Sequence, residues 1–95
     1  MHMDHEDDSP WMRITFRRAA VLRELAEGRS ESQAAEALGV EVTTVRSHVE
    51  ELKVIAGCDS VREMGPWWRA NRRHWAEYVL AVGGVNAPDA GETGT

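Results

Sequence analysis

Arg46, Ser47 and Glu50 stand close together in "TTVRSHVEEL", with Thr44, His48 and Lys53 around them. At helical spacing Arg46 and Glu50 fall on one face, one turn apart. An arginine can donate two parallel hydrogen bonds to guanine, giving ~1–3 kcal/mol of discrimination, and a carboxylate can accept from the amino group of cytosine. Hydroxyl, imidazole and ammonium groups suit phosphate oxygens, which position a protein without reading sequence. This is the chemistry of a helix laid in a duplex groove. Glu50 and Glu51 pose the counter-argument, because phosphate repels both. A cytosine-containing site accommodates Glu50, and Glu51 can pair with arginines of another helix. The competing reading makes both glutamates a solvated face with no nucleic-acid contact.

Catalytic and metal chemistry find little material. There is no Gly-rich phosphate loop, no Cys/His set with metal spacing and no carboxylate pair beside a pocket-sized apolar region. His2 and His5 belong to a polar N-terminal stretch and make a weak metal pair at most. The expectation is a non-enzyme with no cofactor and no metal. Cys58 is the single cysteine, so it has no internal partner, and a reducing compartment is expected. Following Gly57, it reads as a small packed hydrophobe rather than a redox sensor. No apolar run approaches the ~18 residues of a membrane span, and no signal peptide is visible. A cytoplasmic protein is expected.

The net charge of −5 misleads about the body of the chain. Asp4, Glu6, Asp7 and Asp8 crowd the N-terminus, and Asp89 and Glu92 lie near the C-terminus. Of the 16 acidic residues these six are terminal, leaving ten against all 11 basic ones between Pro10 and Val85. The body is therefore nearly neutral, whereas a strongly basic body is usual for a DNA binder. Both ends are polar, with Pro and Gly, and are expected to be disordered. The domain plan is an acidic tail over 1–10, a helical domain over 11–64, an amphipathic helix over 65–84 and a second tail over 85–95.

At 95 residues, 42% apolar and 28% charged, the chain is one small globular domain. Apolar spacing near 3.6 residues recurs and strand-like alternation does not, so the fold class is all-α. Thr15 caps a first helix that ends at Gly28, with Val21, Leu22, Leu25 and Ala26 inward and Arg17, Arg18 and Arg23 facing elsewhere. Trp11 and Ile14 precede it and can fold over its start. "SESQ" from Ser30 is a capping box for a short second helix, with Ala34, Ala35 and Leu38 inward and a stop at Gly39. A third helix spans about Val42 to Ala56, its stripe Val45, Val49, Leu52 and Ala56. Thr43, Arg46, Ser47, Glu50 and Lys53 are expected opposite. A second capping box, "SVRE", opens a short turn over Ser60–Met64. A long helix then runs from Pro66 to about Val82, stopped by Gly83–Gly84.

A short helix, a turn at "LGVE" and a longer helix with a polar outer face is a helix–turn–helix arrangement. The residues from Ile14 to Met64 resemble the LuxR/GerE-type DNA-binding domain, also the output half of NarL/FixJ response regulators. "ITFRRAAVLRELAEGRSESQAAEALGV" is similar to that family's opening, "TTVRSHVEEL" to its recognition helix and "GCDSVREM" to the segment after it. The resemblance implies a small four- to five-helix fold with the third helix in the major groove. Matched by position, Arg46, Ser47 and Glu50 take base-reading places, and Thr44 and His48 places near phosphate. Lys53 and Arg62 are weaker phosphate candidates. The chain departs from the pattern at Glu41, where a serine cap is usual, at Ala34 and Ala56, which thin the core, at the apolar pair Val54–Ile55, and at Gly65–Pro66.

Trp67, Trp68, Trp75 and Tyr78 make the C-terminal helix apolar on more than one side. The expectation is that they cover the thinned core and the Val54–Ile55 pair and also mate with a second copy. In the resembling family the fourth helix is the usual dimer contact. The alternative is a wholly internal role. Arg69, Arg72 and Arg73 lie opposite, as phosphate contacts or as a solvated face with Arg73–Glu77 pairing. Two functions follow. One is a stand-alone, sequence-specific, double-stranded DNA-binding transcriptional regulator, dimeric and with no membrane association. The other is an adaptor of the same fold that binds a protein, such as a sigma factor, RNA polymerase or a regulator, through the tryptophan helix.

Overall fold

The computed structural model describes residues 10–82. The two acidic ends, His2 and His5, and the Gly83–Gly84 stop lie outside the described residues. A 3-10 turn, Pro10–Arg13, leads into α1 (Phe16–Ala26), α2 (Glu31–Leu38) and α3 (Val42–Ala56). A second 3-10 turn, Val61–Glu63, then runs directly into α4 (Met64–Ala81). Among the described residues there is no strand, and the fold is all-helical. Pro10, expected in the tail, opens the first turn.

The helix starts follow the side chains available. Thr15 Oγ1 accepts from the Arg18 N–H at 3.1 Å. At α2 the capping box is complete: Gln33 N–H donates to Ser30 Oγ at 3.1 Å, and Ser30 N–H donates to Gln33 Oε1 at 2.9 Å. An eight-residue helix is too short to hold itself in water, so this cap and the burial of Ala34 and Ala35 carry it. α3 starts at Glu41 with no side-chain cap bond, as its residue type suggests. The second expected capping box does not form. Ser60 caps nothing, and Glu63 Oε1 instead accepts from the Asp59 N–H at 3.1 Å.

The α2–α3 turn is set by its backbone. Gly39 adopts φ +70°, and the Val40 N–H donates to the Ala35 carbonyl at 3.0 Å while Gly39 N–H donates to Glu36. This is a Schellman turn, and its left-handed residue favours glycine. It reverses the chain within a few residues and fixes the angle at which α3 leaves.

Val21, Leu22, Ala34, Val45, Val49, Leu52 and Met64 meet in one buried core with Ile14 and Trp68. The expected α3 stripe is confirmed, with Val45, Val49 and Leu52 fully buried and Ala56 half-buried. α4 begins at Met64, not Pro66. Pro66 is the third helical residue, where the missing N–H has no intrahelical acceptor to lose. Gly65 serves a close approach: a Cβ there would lie 3.1 Å from the Leu25 carbonyl oxygen and 3.3 Å from Ala26 Cα. The N-terminus of α4 thus presses on the C-terminus of α1, where the Arg69 guanidinium donates to the Ala26 carbonyl. A cation at that end also suits the helix dipole.

The tryptophans are used for an internal clamp. Trp68 is 2% exposed. The Trp75 indole N–H donates to the Ile14 carbonyl at 2.8 Å, and its ring meets Trp68 at 5.6 Å and the edge of Phe16 at 5.7 Å. Trp11 packs on Trp67 and on His74, both at 6.1 Å. α4 therefore lies along α1 and the Pro10–Arg13 turn and meets α3 only marginally. The expectation that it covers the apolar pair on α3 fails for Val54, which is 71% exposed, while Ile55 packs half-buried on the core. Arg73–Glu77 pairing is also absent.

Candidate nucleic-acid interface

α3 advances about 100° per residue, so its buried stripe defines what lies opposite. Thr43, Ser47, Glu50 and Val54 form the outermost ridge, all exposed, with exposed Glu51 beside them. Two flanks border it. Arg46 and Lys53 lie toward α2; Thr44 and His48 lie toward α1. Arg46 and Lys53 are thus shoulder residues, not members of the outermost ridge as the sequence suggested. A helix entering a groove presents its ridge to base edges and its shoulders to the phosphates on either side.

The α2 shoulder is partly neutralised. Arg46 Nε lies 3.6 Å from Glu31 Oε1 in the first turn of α2. The Arg46 side chain is still 59% exposed, so the pair is a weak surface one. Glu50 Oε2 takes a hydrogen bond from Lys53 Nζ at 3.4 Å. Glu51 makes no ion pair among the described residues, so the expected link to arginines of another helix is not formed.

The α1 shoulder is a cleft. Thr44 and His48 line it with Arg17, Ala20, Val21, Leu38 and Val40, around about 340 Å³. Arg17 was expected to face away from the core; the crossing of α1 over the start of α3 puts it in the same cleft as His48. The signal was weak, since only the tertiary crossing joins positions so far apart in the chain.

Arg62 lies elsewhere. It lines a cleft of about 290 Å³ with Leu25, Gly28, Arg29, Val61 and Arg69. Arg17 and Leu25 are about 12 Å apart along α1 at 1.5 Å per residue, so the two clefts sit at opposite ends of that helix. Arg29 there pairs with Glu24 at 3.3 Å and with Glu27 at 3.6 Å. Arg69, Arg72 and Arg73 are all exposed, and Arg69 is held by the Ala26 carbonyl.

Of the aromatic residues expected at a partner interface, Trp68 is core and has no surface to offer. Trp75 is half-buried with its N–H donated internally; Trp67 and Tyr78 are half-buried. Leu80, 78% exposed near the end of α4, is the most open large apolar side chain described. Burial, then the nearby Glu63 and Asp59, pushes the Cys58 thiol above its ordinary value, which favours the thiol over the nucleophilic thiolate. No group of three potential metal ligands comes together among the described residues, and none of the described helices is long and apolar enough to cross a membrane. Compared with protein-family models, with curated proteins and with solved structures, the chain matches none.

Proposed function

We propose that this protein is a sequence-specific, double-stranded DNA-binding regulator of transcription that reads the major groove with α3. The observation that carries the reading is the exposed ridge of Thr43, Ser47 and Glu50, unobstructed by α4 and bordered by Arg46 and Lys53 on one shoulder and by Arg17, Thr44 and His48 on the other. From its shoulder position the long, exposed Arg46 side chain turns from Glu31 and reaches in to a guanine edge, Ser47 and Glu50 on the ridge meet the neighbouring bases, and Thr44 and His48 hold phosphate. Glu50 and Glu51 weaken non-specific attraction, so the protein depends on base contacts more than a basic domain does. Two copies bind together, joined through Trp67, Tyr78 and the end of α4.

Selection of bound duplexes from a random pool tests this reading. A defined motif should emerge, and Arg46→Ala should abolish the preference. The log–log salt slope should be shallow, at ~−0.9 per phosphate contacted. Retention of no duplex at low salt would reject DNA binding.

A second reading has one specific support: Glu50, Glu51 and Val54 are acidic and apolar where phosphates and bases would lie. In it α3 docks on a basic, partly apolar protein surface, and the chain is an adaptor for RNA polymerase, a sigma factor or a regulator. Arg46→Ala then leaves function unchanged and Val54→Asp abolishes it.

A further inference from the structure

One outer face of α1 and α4, used by neither the core nor α3, sorts its side chains into a basic end and an apolar end. α4 runs antiparallel to α1: Gly65 abuts Leu25 and Ala26, Arg69 reaches the Ala26 carbonyl, and Trp75 reaches the Ile14 carbonyl and the Phe16 ring. At about 100° per residue Arg69, Arg73, Ala76 and Leu80 form one stripe on α4, beside the flank that meets α1, with Arg72 at its inner edge. These side chains are exposed, as are Phe16 and Arg23 on the adjoining flank of α1. Between the two anchors Arg23 lies level with Arg69 and roughly 5 Å along the axis from Arg72. Guanidinium groups thus crowd one end of the face, and Phe16, Ala76 and Leu80 occupy the other. Phe16 is 38% exposed and Leu80 78%. Arg69 donates to a neutral carbonyl, so its charge is not cancelled, and Arg23, Arg72 and Arg73 form no ion pair among the described residues. Like charges a turn apart on a helix are mildly destabilising, so internal stability does not account for the grouping.

We propose that this α1–α4 face docks an acidic, partly apolar segment of a partner protein. The segment's carboxylates pair with Arg23, Arg72 and Arg73, and its apolar residues cover Phe16 and Leu80 at the other end, ~16 Å along α4. Guanidinium groups take carboxylates through paired, charge-assisted bonds, the strong kind. The apolar end selects a peptide over a nucleic-acid backbone, whose phosphates would leave Phe16 and Leu80 uncovered. Trp67 and Tyr78, the contacts assigned to a second copy, lie about 140–160° round α4 from Leu80, so both surfaces can be filled together. Docking here does not depend on duplex binding by α3.

The test is a fluorescence-anisotropy titration of the full chain with a labelled peptide carrying Asp and Glu in one half and Leu and Phe in the other. The peptide should bind, more weakly as salt rises. Arg23→Gln combined with Arg72→Gln should weaken binding at least ~tenfold, as loss of charge-assisted bonds implies. Leu80→Asp should weaken it about tenfold through lost apolar burial, and Arg46→Ala on α3 should leave it unchanged. Equal binding of the peptide's Asn/Gln counterpart would overturn the acidic assignment. Equal binding of polyglutamate would overturn the role of the apolar end. No binding, or binding indifferent to the arginine pair, would overturn the face. Three further results would each replace the outside partner with another occupant. Displacement of the peptide by duplex from the Arg46→Ala chain would give the arginines to phosphate. A lower molecular mass for Leu80→Asp would give the apolar end to a second copy. Binding ~tenfold tighter once Asp4, Glu6, Asp7 and Asp8 are changed to Asn or Gln would give the face to this chain's own acidic segment.

Discussion

The outer side of α3 and the tryptophan side of α4 solve opposite problems with neighbouring stretches of chain. On α4, Trp75 and Arg69 are fixed by directional contacts: an indole N–H on a backbone carbonyl, a T-shaped ring contact with Phe16, a guanidinium on a helix end. On α3, Arg46 meets Glu31 and Glu50 meets Lys53 as weak surface pairs. Surface ion pairs contribute ~0–1 kcal/mol, whereas truncating a buried aromatic costs ~3–5 kcal/mol. Stability is thus concentrated on one side of the molecule. The other side is free to exchange its partners for a ligand's atoms at little cost.

The sharpest way to break that contrast is Trp68→Ala, expected to remove ~3–5 kcal/mol in urea unfolding. Trp68→Phe should cost far less, because the buried Trp68 indole N–H has no acceptor and its removal relieves an unpaired donor. If both substitutions cost the same, the clamp is not governed by packing. Gly65→Ala comes next. The added Cβ meets backbone atoms of Leu25 and Ala26 that cannot swing aside, so ~1–3 kcal/mol should be lost, again read in urea. Arg46→Ala should alter stability by no more than ~0.5 kcal/mol while erasing duplex preference, the largest separation of the two effects expected anywhere in the chain. Glu31→Gln is the mildest change. It frees Arg46, so duplex binding should tighten a few-fold in a fluorescence titration with the melting midpoint nearly unchanged. Weaker binding would mean that Glu31 orients the guanidinium rather than competing for it.

Much of the fold was legible because local chemistry specified it. Thr15, the Ser30–Gln33 box, Gly39 and Gly57 marked helix ends, and the α3 valines marked the face that turns inward. Where sequence reasoning slipped, a local signal was overridden. "SVRE" has the composition of a capping box, but Glu63 reaches Asp59 rather than Ser60. "GP" reads as a break, yet both residues fall in the first turn of α4, where a missing N–H does little harm. The candidate site was half legible. The α3 side chains came from spacing; their partners Glu31 and Arg17 came from other helices.

The sequence by itself determined that this is a small all-helical domain, where most of its helices stop and which side of α3 is apolar. These properties depend on residues within a turn or two of one another. Only the tertiary structure decided that the tryptophans clamp α1 and the N-terminal turn, that Arg69 caps a helix 43 residues away, and that Arg17 joins Thr44 and His48 around a cleft. The reason is physical: helical periodicity says which face must be buried but not against what, and the choice among partners rests on how helices cross.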